Sequence, residues 1–90
     1  MADVGERRAD GSLLFSGRVA VRDVNRQFAA GWGMELPEDN AVTLAGLMVD
    51  VLGRLPSQGE KLEIGNLVLV VHAKRGHRIE KVRVIESKPA

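Results

Sequence analysis

The sequence predicts an α+β domain in which one antiparallel sheet carries two helices on a single face. Three observations point there. Residues 61–64 alternate polar and apolar positions, and two glycine-containing reversals divide residues 61–86 into three strand-like runs. Two upstream stretches repeat apolar residues at helical spacing. The chain has 90 residues and no cysteine, so a single small core has to hold it without disulfides.

Composition sets the outer bounds. Hydrophobic residues make up 44% and charged residues 28%, as in ordinary soluble domains. The 25 Leu, Val and Ile residues supply a core and exclude a disordered tail. A net charge of +1 is too small to imply a polyanion partner by itself. No apolar run reaches the roughly 18 residues of a membrane span, and the N-terminus does not read as a signal peptide. The missing cysteines exclude thiolate metal sites and thiol nucleophiles. No internal repeat is visible.

Residues 1–10 mix Gly, Ala, Arg and acids without a period and read as a flexible lead. The domain proper is expected over 11–86, with 87–90 as a frayed tail. Ser12-Leu13-Leu14-Phe15-Ser16, between Gly11 and Gly17, reads as a strand. Val21, Val24 and Phe28 recur at i, i+3 and i+7 and predict a helix over about 20–28. Asp23 suits the positive end of its dipole better than an acid or ligand role. The stretch Ala29-Ala30-Gly31-Trp32-Gly33 is expected to break this helix, with its glycines at positive φ. Gly31 and Gly33 lack the third glycine of a dinucleotide fingerprint, because position 36 is Leu36. Trp32, the only tryptophan, is expected to plug the core edge rather than stack on a ligand.

Residues 43–52 are apolar almost all round and predict a buried helix. Thr43 is its expected N-cap and Gly53 its C-terminal glycine. Gly46 inside it points to close packing against a strand.

The last third is the most informative. Gly65-Asn66 and Arg75-Gly76 read as two-residue turns joining strands over 61–64, 67–74 and 77–86. Ile64 then opposes Leu67, Leu62 opposes Leu69, Lys74 opposes His77, His72 opposes Ile79, Leu69 opposes Val82 and Leu67 opposes Val84. Opposed residues share a face. One face collects Leu62, Ile64, Leu67, Leu69, Val71, Val82 and Val84, the expected core face. The reverse collects Lys61, Glu63, Val68, Val70, His72, Lys74, His77, Ile79, Lys81 and Arg83. This mixed face, valines within a basic fringe, is the surface on which to look for a partner.

Catalytic chemistry finds little support. His72 and His77 would lie roughly 7–8 Å apart on the reverse face, but zinc wants three or four ligands and Glu63 is distant. None of Ser12, Ser16, Ser57 and Ser87 sits in a G-x-S-x-G turn. Glu38 and Asp39 follow Pro37 in a loop and suggest helix-start electrostatics. No catalytic, metal or cofactor-binding residue is assigned, and the chain is not expected to be an enzyme. Nucleic-acid binding is disfavoured, because none of the three aromatics lies in the meander to form a stacking platform.

The order of features matches a known pattern. Gly17, Val21-Arg22-Asp23-Val24-Asn25, Leu36-Pro37, Thr43-Leu44-Ala45-Gly46-Leu47, Leu52-Gly53-Arg54-Leu55-Pro56, Gly59-Glu60 and Arg78-Ile79-x-x-Val82-x-Val84 follow one another. This resembles the transporter-associated domain at the C-terminus of CorC/HlyC proteins, the magnesium-and-cobalt-efflux and hemolysin-like family. The resemblance covers about residues 11–85. It implies a β-α-α-β-β-β domain related to a flavin-binding subdomain. It also implies a parent membrane protein with paired CBS domains, whose ion transport the domain modulates from the cytoplasmic face. The chain then reads as a soluble C-terminal module. Its implied partners are the membrane and CBS domains of the same parent, and a homo-oligomer is compatible. The alternative is a small-ligand module for flavin (FAD) or adenine nucleotide, although no glycine-rich phosphate cradle supports it. The shared motif positions are mostly Gly, Pro and apolar residues and read as fold determinants.

Overall fold

The backbone follows the hydrophobic pattern. A computed structural model describes residues 5–38 and 42–86. Seven elements run in order: β1 (Gly5–Arg7), β2 (Leu13–Ser16), α1 (Val21–Trp32), α2 (Leu44–Leu52), β3 (Lys61–Ile64), β4 (Leu67–Arg75) and β5 (Arg78–Glu86). The strands form one sheet in the order β1-β2-β5-β4-β3, every neighbour antiparallel. Leu13 and Phe15 of β2, Leu62 of β3, Leu67, Leu69 and Val71 of β4, and Val82 and Val84 of β5 are buried on one face. They share a single core with Val21 and Val24 of α1 and Leu44, Leu47 and Met48 of α2. Both helices therefore cover the same face of the sheet.

Residues 5–7, assigned from sequence to a flexible lead, form the edge strand β1. Gly5 opposes Phe15, and a Cβ at position 5 would lie 2.4 Å from the Phe15 ring. The glycine is needed there because the ring occupies the space of a side chain. This strand carries no apolar residue, so periodicity could not reveal it.

The first helix does not break at Ala29. It continues to Trp32, because Ala29 and Ala30 are strong helix formers and Gly31 keeps a helical backbone. Gly33, at φ 73°, ends it, and its N–H donates to the Ala29 carbonyl. The extra turn sets Trp32 four residues beyond Phe28. Their rings stack with centroids 5.6 Å apart, and Phe28 meets Phe15 edge-on at 5.5 Å.

The two helix starts are tied to each other. Val21 N–H donates to Val42 C=O, Leu44 N–H to Val19 C=O and Ala45 N–H to Gly17 C=O. Thr43 caps α2 by accepting from Gly46 N–H, and Gly53 closes it in the left-handed region. Burial of α2 is one-sided rather than complete: Val49 and Val51 are exposed.

Asn25 secures the chain between the helices. It is 5% exposed, and its Oδ1 accepts from Leu36 N–H at 2.8 Å. Its Nδ2 donates to Leu36 C=O and to Glu38 Oε2, each at 2.8 Å. A buried amide satisfied this fully holds Leu36, 1% exposed, in the core.

The β3–β4 register is the expected one, with Leu62 opposite Leu69 and Ile64 opposite Leu67. The β4–β5 register differs by two residues. Arg75 opposes Arg78, so the turn is Gly76-His77, and Leu69 opposes Val84 while Val71 opposes Val82. A two-residue slip leaves faces unchanged, so the expected core face is correct. An irregularity where Val71, Ala73 and Lys74 oppose Val82, Lys81 and Ile79 does change faces locally. It turns Ile79, with Lys74 opposite it, to the helix side, where Ile79 is 3% exposed. Both were expected on the reverse face. Gly17 N–H donates to Glu80 C=O within the irregular segment. A Cβ at Gly17 would lie 2.1 Å from the Ile79 carbonyl oxygen.

Beyond β3, the free edge of β4 is covered by the loop at 57–60. Gly59 N–H donates to Val71 C=O, Val71 N–H to Glu60 C=O and Lys74 N–H to Gln58 Oε1. Arg54 holds this loop with a two-pronged hydrogen-bonded ion pair to Glu60. That pair, together with Ser57 N–H, lowers the Glu60 pKa.

Candidate functional site

Two surfaces stand out, one on each side of the sheet. The first is the face that the helices leave open. Register places Glu6, Leu14, Arg83, Val70 and Lys61 side by side across all five strands. Ile85, Val68 and Glu63 form the next row. Leu14, Val68, Val70 and Ile85 are half-buried on it. Arg83 lies at the centre of this face. Its Nε is buried without a partner, and its guanidinium reaches Asp10 only at 4.0 Å. Asp10 is held below the usual carboxylate range, first by the Ser12 hydroxyl and backbone N–H and then by Arg83 and Arg8. The open face thus offers aliphatic area around a part-exposed guanidinium.

The second surface is a groove of about 610 Å³ on the helix side, between α2 and the β4–β5 turn. Ala45, Val49, Leu55 and Ile79 form its apolar wall, and Arg18, His77 and Arg78 its rim. No side-chain hydrogen bond or ion pair engages those three rim residues among the described residues. The sequence reading missed this groove because the local face change brings Ile79 to it from the opposite side.

The individually weighed residues fall as follows. Asp23 is exposed in the first turn of α1, where the helix dipole favours it. Trp32 is 8% exposed and stacked on Phe28. His72 is exposed on β4 and His77 lies in the turn rather than opposite Lys74. Among the described residues, no group of three or more His, Asp or Glu could hold a metal ion. Glu38 accepts from Asn25, while Asp39 and Ser87 lie outside the described residues. Ser12 is buried, with its hydroxyl donating to Asp10, and Ser16 accepts from the Arg18 backbone N–H.

Comparison with known proteins agrees with this architecture. The sequence model of the CorC_HlyC family, described as a transporter associated domain, matches residues 6–88. The chain is 32% identical over 80 residues to the UPF0053 inner membrane protein YfjD of Escherichia coli K12. That match covers 89% of this chain but 18% of the relative, so the chain spans under a fifth of that protein. Among solved structures, it resembles the region named for association with a Mg2+ and Co2+ transporter, CorC, in Neisseria meningitidis MC58. The TM-score is 0.80 at 26% identity, covering 93% of this chain and 99% of that one. The transporter associated domain of a CBS domain protein from Porphyromonas gingivalis shares the fold, with TM-score 0.78 at 24% identity and coverage of 94% and 99%.

Proposed function

The chain belongs to the CorC_HlyC family of transporter-associated domains, and from that premise we propose that it is a non-catalytic regulatory module. It acts through protein–protein contact within a membrane ion transporter of the magnesium and cobalt type. The observation that carries this reading is the open sheet face, where half-buried Leu14, Val68, Val70 and Ile85 surround the part-exposed Arg83. An aliphatic face with a part-exposed guanidinium at its centre suits a protein surface carrying a carboxylate. The partners are the membrane and CBS domains of the same parent, met at the cytoplasmic side. No helix among the described residues is long and apolar enough to cross a membrane.

The test is made in the parent transporter. Val68→Ser together with Val70→Ser should leave the protein folded and membrane-inserted yet change Mg2+ or Co2+ efflux from loaded cells. Unchanged efflux at equal protein level would overturn contact through this face. Flavin or adenine nucleotide is the alternative occupant, and calorimetric titration with FAD and ATP tests it. The groove presents no Phe, Tyr or Trp on which a ring could stack, which favours protein contact.

A further inference from the structure

We propose that the groove between α2 and the β4–β5 turn docks an acidic protein segment, with aliphatic side chains on its apolar wall and carboxylates against Arg18, His77 and Arg78. This deepens the protein-contact reading by naming a second surface and its partner chemistry.

Charge segregation is the first argument. Arg18 and the segment 74–81 carry five of the thirteen basic residues of the chain and one of its twelve acidic ones, Glu80. Glu80 lies beside Arg75, His77 and Arg78, and it cannot offset them all. With the whole chain at +1, the remainder is net acidic, and this end stays cationic although Glu60 of the adjoining loop lies near Lys74.

The form of the groove is the second. Val49 is 36% exposed along one wall, while Leu55 is half-buried and Ile79 buried. An aliphatic side chain laid there would remove apolar surface from water, and flanking carboxylates would reach the guanidinium groups. The first amides of α2 are already bound to Val19, Gly17 and Thr43, so an anion has to be held by the side chains.

A nucleotide fits less well, because Phe15, Phe28 and Trp32 all pack in or against the core. A membrane surface fits less well too. Among the described residues the exposed large aliphatics are Val42, Val49 and Val51, without the Trp, Phe or Leu that anchor interfacial elements.

The experiment titrates this chain, labelled with 15N, with a panel of acidic hexapeptides bearing two central Leu, Ile or Val residues. Their Asn/Gln counterparts, ATP and phosphatidylglycerol vesicles run in parallel. Acidic peptides should bind at about millimolar or better, shifting the amides of Gly17, Ala45, Gly46 and Ile79 and sparing Val68 and Val70. Arg18→Ser and Arg78→Ser should each weaken binding roughly two- to fivefold without lowering Tm, and added salt should weaken it further. No binding by any acidic peptide would overturn the proposal. So would equal binding by the amide counterparts, or tighter binding of ATP or vesicles at the groove. Because the test uses the isolated chain, its failure leaves the efflux result for the open face standing.

Discussion

Replacing Asn25 by Ala removes the clamp between α1 and the following chain. Three hydrogen bonds disappear, to Leu36 N–H, Leu36 C=O and Glu38. Glu38 is exposed and regains water, so its share is small. Leu36 is 1% exposed, so its amide and carbonyl lose partners that water cannot easily replace. An unsatisfied buried group costs about 1–3 kcal/mol, giving roughly 2–6 kcal/mol for the two. That is a large share of the 5–15 kcal/mol typical of a whole domain. With a urea slope of about 1–1.5 kcal/mol/M for a chain this small, the midpoint should fall by at least roughly 1.3 M. Urea unfolding followed by Trp32 fluorescence reads the change, since Trp32 lies at the end of the same helix. A loss under about 1 kcal/mol would show that Leu36 does not depend on the amide. Asn25→Asp separates the two halves of the clamp. It keeps an acceptor for Leu36 N–H but points a carboxylate at Leu36 C=O and Glu38. Its deficit should shrink as pH is lowered and the carboxyl becomes a donor.

Further outcomes test other parts of the account. Leu69→Ala should cost about 2–5 kcal/mol and Val70→Ala clearly less, because Leu69 is fully buried and Val70 faces the open side; equal losses in chemical denaturation would refute the face assignment. Gly17→Ala should cost about 3 kcal/mol or more, since its methyl would collide with the Ile79 carbonyl; a thermal midpoint unchanged from wild type would contradict that contact. Glu60 has a lowered folded-state pKa, principally through Arg54. Its contribution is therefore present above the usual carboxylate range and lost as pH falls through the folded value. Acid titration of stability should be shallower in Glu60→Gln than in wild type, and identical slopes would remove the pair from the account.

Much of the sheet was legible because its side-chain period is two and its hydrophobic set is large. Leu62, Leu67, Leu69, Val82 and Val84 reach the core as their alternation requires. The same periodicity hid the error in the second hairpin. A slip of two residues preserves every face, so pattern alone cannot choose between Arg75-Gly76 and Gly76-His77 as the turn. The irregularity near Ala73 and Lys81 is a backbone event, signalled only by Ile79 standing apolar among charged neighbours. It builds the groove, which is why the groove was invisible from sequence. The first helix runs past Ala29 because two alanines favour it and Gly31 can follow, so a glycine there does not mark its end. The Asn25 clamp and the Arg54–Glu60 pair join residues across loops, and their spacing follows no period.

The central claim is that the sheet face opposite the helices is a protein-contact face, and site-specific labelling tests it directly. The chain has no cysteine, so Val70→Cys provides a single reporter in the isolated domain and, in a cysteine-free background, in the parent transporter. Maleimide labelling of Cys at position 70 should be fast in the isolated domain and strongly slowed in the parent. Equal rates in the two would contradict the claim.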